Sequence, residues 1–124
     1  MRVLLSIKPE YVDKIFKGTK KYEFRKSLFK RDDVNVIVIY ASSPIKRVVG
    51  EFEIENILSD EVKIVWEQTK DYSGITQKRY DEYFQKRKTA NAIKIGCLIK
   101  YNEAKLLSDY NIRQAPQSFC YLTD

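Results

Sequence analysis

The sequence contains no histidine among its 124 residues. This absence excludes a Ser-His-Asp or Cys-His catalytic arrangement, and it excludes a zinc site built on imidazole. The side chain that most often transfers protons near neutral pH is therefore missing as well. Any acid-base chemistry must come from Lys, Glu, Asp or Tyr side chains whose pKa is shifted by burial beside a partner.

Cysteine, glycine and proline are also scarce, with two, four and three residues. Cys97 and Cys120 both lie in apolar, strand-like segments, where a thiol usually behaves as a small buried hydrophobe, so we expect no disulfide. The content of 44% hydrophobic and 32% charged residues indicates a globular fold rather than disorder. The length predicts a single domain over residues 1–124.

Long hydrophobic runs are missing too. No apolar stretch approaches the roughly 18 residues that a membrane span requires. The segment Met1–Pro9 is too short for a signal peptide. We therefore expect a cytoplasmic protein without a membrane partner.

The net charge of +6 is concentrated in one segment. Residues 8–31 contain nine Lys or Arg and three acidic side chains, so the remaining residues sum to zero. A local excess of positive charge favours a phosphate-bearing partner. The alternative is a lysine-rich surface helix that is simply solvated.

The first third of the chain predicts a strand, a helix and a glycine turn. Residues 2–7 are almost continuously apolar, as in a buried strand. Pro9 suits the first position of a helix, and Gly18 suits the left-handed position that follows its end. Apolar residues between them recur at helical spacing, so we expect an amphipathic helix over residues 9–17.

Residues 20–25 concentrate polar chemistry in a short extended segment. Alternation predicts Lys21, Glu23 and Arg25 on one face of a strand, with Lys20 at the start of the strand, just after the turn. Three ionisable side chains in a row require solvent, one another or an anion, because burying them unpaired is expensive. Lys8, at the junction of strand and helix, could reach the same region. A solvated edge strand would give the same pattern, so both interpretations stay open.

The middle of the chain predicts a central strand over residues 34–40 and a long strand over residues 47–58. The turn between them carries Ser42 and Ser43, which could hold a phosphate or base edge or could only satisfy their own turn. Ser59 or Asp60 is expected to cap a following helix.

A third helix is predicted from a Thr76 cap to about residue 88. Tyr80, Tyr83 and Phe84 share one side of it, and basic residues flank that side. Aromatic and basic residues interleaved in this way are typical of single-stranded nucleic acid binders, but a helix that covers a barrel end has the same pattern. Further strands are predicted at 92–99 and 114–122. The whole pattern indicates an α+β fold, with the strands in a small, partly closed barrel.

Gly18, Lys20, Glu23 and Arg25 follow the spacing G-x-K-x-x-E-x-R. This motif, in the order strand, helix, glycine turn and motif strand, resembles that of ASCH domains in the PUA-like superfamily. The flanking phrases at residues 5–9, 40–44 and 115–119 are similar to a stand-alone ASCH subgroup often labelled predicted transcriptional regulators.

The resemblance implies a PUA-like small mixed β-barrel with flanking helices and a cleft for a nucleotide or single-stranded RNA. Lys20 and Arg25 would contact phosphate or a base carbonyl, and Glu23 would orient them or accept from an exocyclic amine. We expect no cofactor and no metal. The ligand stays open between RNA, DNA and a mononucleotide. The predicted binding residues are Lys8, Gly18, Lys20, Lys21, Glu23, Arg25, Ser42, Ser43, Gln117 and Ser118.

Enzymatic relatives supply the main alternative. ASCH-like amidohydrolases that act on a modified cytidine use a threonine three residues after the motif lysine, where this chain has Glu23. The nearest hydroxyls, on Thr19 and Tyr22, are not placed in the same way. A metal-dependent ribonuclease could recruit Lys20, Tyr40 or Ser118, although no carboxylate cluster is evident for the ion. The catalytic candidates are therefore Lys20, Glu23 and Ser118. A protein-interaction domain that only keeps the fold is the third alternative.

Overall fold

A computed structural model describes residues 1–123, which contain six strands and three α-helices. The helices are α1 (Pro9–Lys17), α2 (Val62–Thr69) and α3 (Gln77–Tyr83). Short 3-10 turns lie at Lys70–Tyr72 and Leu107–Tyr110. The strands are β1 (Arg2–Ile7), β2 (Tyr22–Arg25), β3 (Val36–Ala41), β4 (Arg47–Glu61), β5 (Thr89–Lys105) and β6 (Phe119–Leu122).

The strands form one mixed sheet in the order β2-β5-β4-β3-β1-β6. β1 and β3 are parallel, in a register that runs from Arg2 beside Val36 to Ile7 beside Ala41, and the other neighbours are antiparallel. The predicted α+β class is confirmed. The barrel is not closed, because the edge strands β2 and β6 do not pair with each other among residues 1–123.

Helix α1 begins and ends where the sequence predicts. Pro9 occupies the first turn, and Gly18 adopts a left-handed conformation with φ +83°. The Gly18 backbone N–H donates to the Ile15 carbonyl oxygen at 3.1 Å, which satisfies one of the free carbonyls at the helix end. Val12 and Ile15 are buried against the sheet. The helix therefore ends in a tight turn that brings the chain directly into β2.

β4 and β5 form a long ribbon that extends beyond the predicted strands over residues 47–58 and 92–99, and this ribbon also corrects the predicted cap of α2. β4 continues to Glu61, so Ser59 and Asp60 pair with Asn91 and Ala90 of β5 and do not cap α2. The cap position of α2 falls on Glu61, after Asp60, so neither predicted side chain occupies it. The register shifts between Phe52 and Ile54, opposite the region of Gly96. β6 is shorter than the predicted strand over residues 114–122.

Helix α3 packs an aromatic cluster against β5 and β2. Tyr80 and Phe84 are buried with Phe24 and Val65, and the Tyr80 hydroxyl donates to the Val62 carbonyl oxygen at 2.6 Å. These two aromatic rings are therefore core residues, although the nucleic acid interpretation used them for stacking. The Thr76 cap is confirmed, since its hydroxyl accepts from the Arg79 backbone N–H at 3.2 Å. The helix ends at residue 83, before the predicted residue 88.

The two cysteines are free, and Cys97 is exposed. The expectation that Cys97 is buried is wrong, because no layer covers this face of β5. Ile99, two residues along the same face, is 52% exposed. Within the described chain, no helix is long and apolar enough to cross a membrane.

Candidate functional site

A cavity of about 570 Å³ opens between the carboxyl end of β1, the start of α1, β2 and α3. Edge strand β2 lies near β1 on this side, since the Arg25 side chain reaches the Ser6 carbonyl oxygen, although the two strands do not pair among residues 1–123. Polar and aromatic side chains share the walls. The lining residues are Ser6, Ile7, Lys8, Tyr11, Lys20, Glu23, Phe24, Arg25, Ile75, Arg79, Glu82, Tyr83 and Gln117.

Lys20 is a buried cation in the wall of this cavity, with only 2% of its surface exposed. Its Nζ lies 5.0 Å from the ring centroid of Tyr11 and 4.8 Å from that of Phe24. The ammonium donates to the Ser73 carbonyl oxygen at 2.7 Å. Burial lowers the pKa of Lys20 to about 8, and the charge of Glu23 opposes this shift. The lysine is thus held by rings and a carbonyl rather than by a carboxylate.

The segment before α3 explains why Lys20 is buried. Gly74 follows Ser73 with φ +66°, and a Cβ at this position would lie 2.6 Å from the Cγ of Lys20. Only a glycine lets the backbone approach the lysine stem so closely. The sequence predicts Lys20 at the mouth of the strand, and the structure covers it with this distant turn.

Glu23 and Arg25 form an ion pair on one face of β2. The Arg25 guanidinium lies 2.9 Å from the Glu23 carboxylate, and the two side chains are 12% and 9% exposed. The same guanidinium donates to the Ser6 carbonyl oxygen at 2.8 Å, which joins β2 to β1. Its Nε is buried and has no acceptor among residues 1–123. The arginine is therefore held in place with one donor unused.

The other predicted residues divide into two groups. Lys8 and Gln117 line the cavity, and both are exposed at its rim. The remaining five do not line it. Those residues are Gly18, Lys21, Ser42, Ser43 and Ser118.

Lys21 is the clearest geometric correction. It precedes the first residue of β2, so strand alternation does not place it with Glu23 and Arg25. Its Nζ lies 4.3 Å from the ring centroid of Tyr72, outside the cavity lining. The predicted shared face therefore holds for Glu23 and Arg25 alone.

The predicted binding residues do not include the aromatic and helical wall, although the basic and aromatic side of α3 was related to nucleic acid binding from the sequence. Tyr11 and Phe24 flank Lys20, and Arg79 and Tyr83 come from α3. The guanidinium of Arg79 donates to Glu10 at 2.8 Å and to the Tyr11 hydroxyl at 3.2 Å, which joins α3 to α1. Arg79 and Tyr83 are four residues apart in the sequence, and this spacing predicts that they share one helix face.

In the described part of the chain, no three His, Cys, Asp or Glu side chains form a group that could hold a metal ion.

The chain combines a mixed sheet with a polar cavity, and the strand that carries the G-x-K-x-x-E-x-R motif lines this cavity. This arrangement is the one expected for PUA-like domains. A family model described as ASCH domain matches residues 5–98, and the chain belongs to this family. The crystal structure of ASCH from Zymomonas mobilis aligns with a TM-score of 0.89 and 25% identity, covering 98% of this chain and 87% of that one.

Two curated relatives match most of this chain. The large ribosomal subunit protein uL22 of Ureaplasma parvum serovar 3 is 29% identical over 120 residues, which is 97% of this chain and 39% of that protein. An ASCH domain-containing ribonuclease of Zymomonas mobilis is 29% identical over 89 residues, which is 72% of this chain and 60% of that protein. The chain thus spans less than two thirds of the length of either relative.

Proposed function

We propose that this ASCH domain binds RNA, or a nucleotide derived from RNA, in the cavity between β1, β2, α1 and α3, with a role in RNA metabolism or in regulation linked to transcription or translation. The observation that carries the proposal is the convergence of Lys20, Glu23 and Arg25 on one cavity with aromatic walls. Its volume of about 570 Å³ lies within the range of small-molecule sites, about 300–1,000 Å³.

The roles of the three residues follow from their chemistry. Glu23 and Ser6 already fix the Arg25 guanidinium, so its remaining donors have a defined direction. A ligand oxygen that reached the buried Nε would remove the free-energy cost of an unpaired donor. The second oxygen of the Glu23 carboxylate can accept from an exocyclic amine. Lys20 supplies positive charge to a phosphate or a base carbonyl.

The rim of the cavity favours a phosphate. Lys8 and Arg79 are exposed there, and they belong to different elements, so their charges approach the opening from two sides. A cavity with aromatic walls and a basic rim suits a base inside and a phosphate at the opening. An RNA ligand is preferred over DNA because one relative is named as a ribonuclease.

Titration of labelled single-stranded RNA, followed by fluorescence anisotropy, tests this function. We expect the logarithm of the affinity to fall linearly with the logarithm of the salt concentration, as counterions are released. Arg25→Lys should weaken binding about tenfold, because lysine keeps the charge but lacks the planar set of N–H donors of the guanidinium. The matched control is Arg31→Lys, since Arg31 is exposed and pairs with Asp33 outside the cavity. Equal affinities for the two variants would show that β2 is not part of the binding site.

A second candidate function is RNA hydrolysis, which one specific observation favours. With a pKa of about 8, Lys20 holds a neutral fraction near neutral pH, and a neutral amine can act as a general base. The relative named as a ribonuclease is consistent with this role. Ser118 does not line the cavity, so Lys20 and Glu23 are the better catalytic candidates. The amidohydrolase alternative gains no support, since neither Thr19 nor Tyr22 lines the cavity.

Incubation with RNA, with and without divalent metal, separates hydrolysis from binding. The wild-type chain should yield product and Lys20→Met should not, if Lys20 is catalytic. Acylated nucleosides provide the parallel test for amide hydrolysis. If no product forms under any of these conditions, RNA or nucleotide binding remains the function.

A further inference from the structure

We infer that the cavity receives one nucleotide of a single-stranded RNA and that Lys26, Tyr83 and Arg87 hold the adjoining nucleotide outside it. This inference rests on the proposed RNA-binding function and deepens it, because it assigns a polynucleotide ligand rather than a free nucleotide. It also gives a role to basic residues near α3 that the cavity does not include.

Helix α3 forms a wall with two distinct ends. Arg79 and Tyr83 lie one helical turn apart, and both line the cavity. Arg79 contacts α1 through Glu10 and Tyr11, whereas Tyr83 contacts the segment that follows β2 through Lys26. A ligand that lies along this wall therefore has one end beside α1 and the other end beside Lys26.

Cations lie near Tyr83 at the second end of this wall. The Nζ of Lys26 lies 4.8 Å from the centroid of its ring. Arg87 lies in the turn that follows α3, where its backbone N–H donates to the Phe84 carbonyl oxygen at 2.9 Å, and Arg25 lines the same cavity as Tyr83. Part of the ring is still exposed, and Phe84 supports it edge-on at 4.8 Å. An aromatic ring on a rigid helix beside several cations is the combination that single-stranded nucleic acids bind.

The cations at this end are available to a ligand. Within residues 1–123, neither Lys26 nor Arg87 forms an ion pair with an acidic side chain, and both are exposed. Lys70, by contrast, is exposed but neutralised by Glu67 at 2.8 Å. Unpaired positive charge beside an aromatic ring attracts phosphate without first breaking an internal pair.

The arrangement of charge along the wall argues for more than one nucleotide. Glu82, which precedes Tyr83 in α3, also lines the cavity, and its carboxylate disfavours a phosphate inside the cavity beside it. Lys26 and Arg87 do not line the cavity, so a free nucleotide bound inside it would leave both of them unused. Arg79 is already paired with Glu10, so the exposed Lys8 is the cation that offers a phosphate site at the other side of the opening. An RNA chain with one phosphate beside Lys8 and the next beside Lys26 and Arg87 uses these exposed charges.

The test compares two ligands in the same variants. Lys26→Ala/Arg87→Ala is titrated with a labelled RNA oligonucleotide of about ten residues and with the four ribonucleoside monophosphates. The matched control is Lys63→Ala/Lys105→Ala, which removes the same charge from exposed positions outside the cavity lining. We expect the slope of the salt dependence of oligonucleotide binding to fall by about 1.4, because two contacts to a single strand are lost. Monophosphate affinity should stay at the wild-type value.

Three outcomes would overturn the inference or its premise. If the double variant keeps the wild-type salt slope while Arg25→Lys still weakens binding, the adjoining site does not exist and the cavity function stands. If monophosphate affinity falls as much as oligonucleotide affinity, the two cations belong to the cavity itself. If the wild-type chain binds neither ligand, the proposed function fails and the inference fails with it.

Discussion

The backbone of Gly74 lies against the side chain of Lys20, although 53 residues separate Lys20 from the carbonyl of Ser73 that its ammonium binds. This contact buries the lysine stem under the turn that precedes α3, and it holds the Nζ between the rings of Tyr11 and Phe24. The motif lysine is therefore positioned by a glycine far along the chain. Four predictions follow from this and the neighbouring contacts.

Replacement of Gly74 by alanine should destabilise the fold by about 2–5 kcal/mol. About 1–2 kcal/mol comes from placing a side chain at φ +66°, and about 1–3 kcal/mol from overlap with the Lys20 stem. Urea unfolding measures the change. Gly18→Ala is the matched control, because Gly18 also has a positive φ but has no atom within 4 Å of the added Cβ. Equal losses for the two variants would show that the Lys20 contact contributes nothing.

The ion pair of Glu23 with Arg25 should be strongly coupled. Both side chains are about nine-tenths buried, so Arg25→Met leaves a carboxylate without its partner and should cost about 3 kcal/mol. Glu23→Gln/Arg25→Met should recover part of that loss, since no charge is then left unpaired. A double-mutant cycle from urea unfolding gives the coupling energy. The pair of Arg31 with Asp33 is the control, because both side chains are half exposed and should couple far more weakly. Similar coupling in the two pairs would contradict the assigned burial.

Local signals in the sequence predicted the elements around the cavity. Pro9 and Gly18 bounded α1 correctly, and the Thr76 cap marked the start of α3. These residues act on backbone groups within a few positions, so their effect does not depend on the rest of the fold. The relation of Glu23 to Arg25 also followed from strand alternation alone.

Long-range packing determined what the sequence did not predict. The burial of Lys20 depends on a turn more than fifty residues away, and the positions of Ser59 and Asp60 depend on their pairing with β5. No local pattern distinguishes a cap from a strand residue when the partner strand is thirty residues further on. The aromatic and basic side of α3 was recognised, but its place in the wall of the cavity was not predicted, since the fold alone brings Tyr83 beside β2.

The burial of Lys20 should make stability depend on pH in a defined window. Its pKa is about 8 in the folded chain and 10.5 when unperturbed. Between these values the unfolded chain holds a proton that the folded chain has released, so the free energy of unfolding contributed by Lys20 rises with pH across this window. Below about pH 8 both states are protonated, and the contribution stops changing. Urea unfolding of the wild type and of Lys20→Met measures the difference, and a difference that does not change with pH would contradict the shifted pKa.

The same titration distinguishes binding from hydrolysis, because the two functions need opposite forms of Lys20. If the ammonium contacts the ligand, RNA affinity should fall as the pH rises through about 8, since the positive charge is lost. If the neutral amine acts as a general base, the rate of RNA cleavage should rise over the same range.

Anisotropy titrations and cleavage assays across this range measure both quantities on one preparation. Lys63→Ala is the control and should keep the wild-type pH profile, because Lys63 is exposed and outside the cavity lining. Lys20→Met should give an RNA affinity that does not change through pH 8. If Lys20→Met keeps the wild-type profile, another group titrates, and Lys20 has no contact with the ligand in either function.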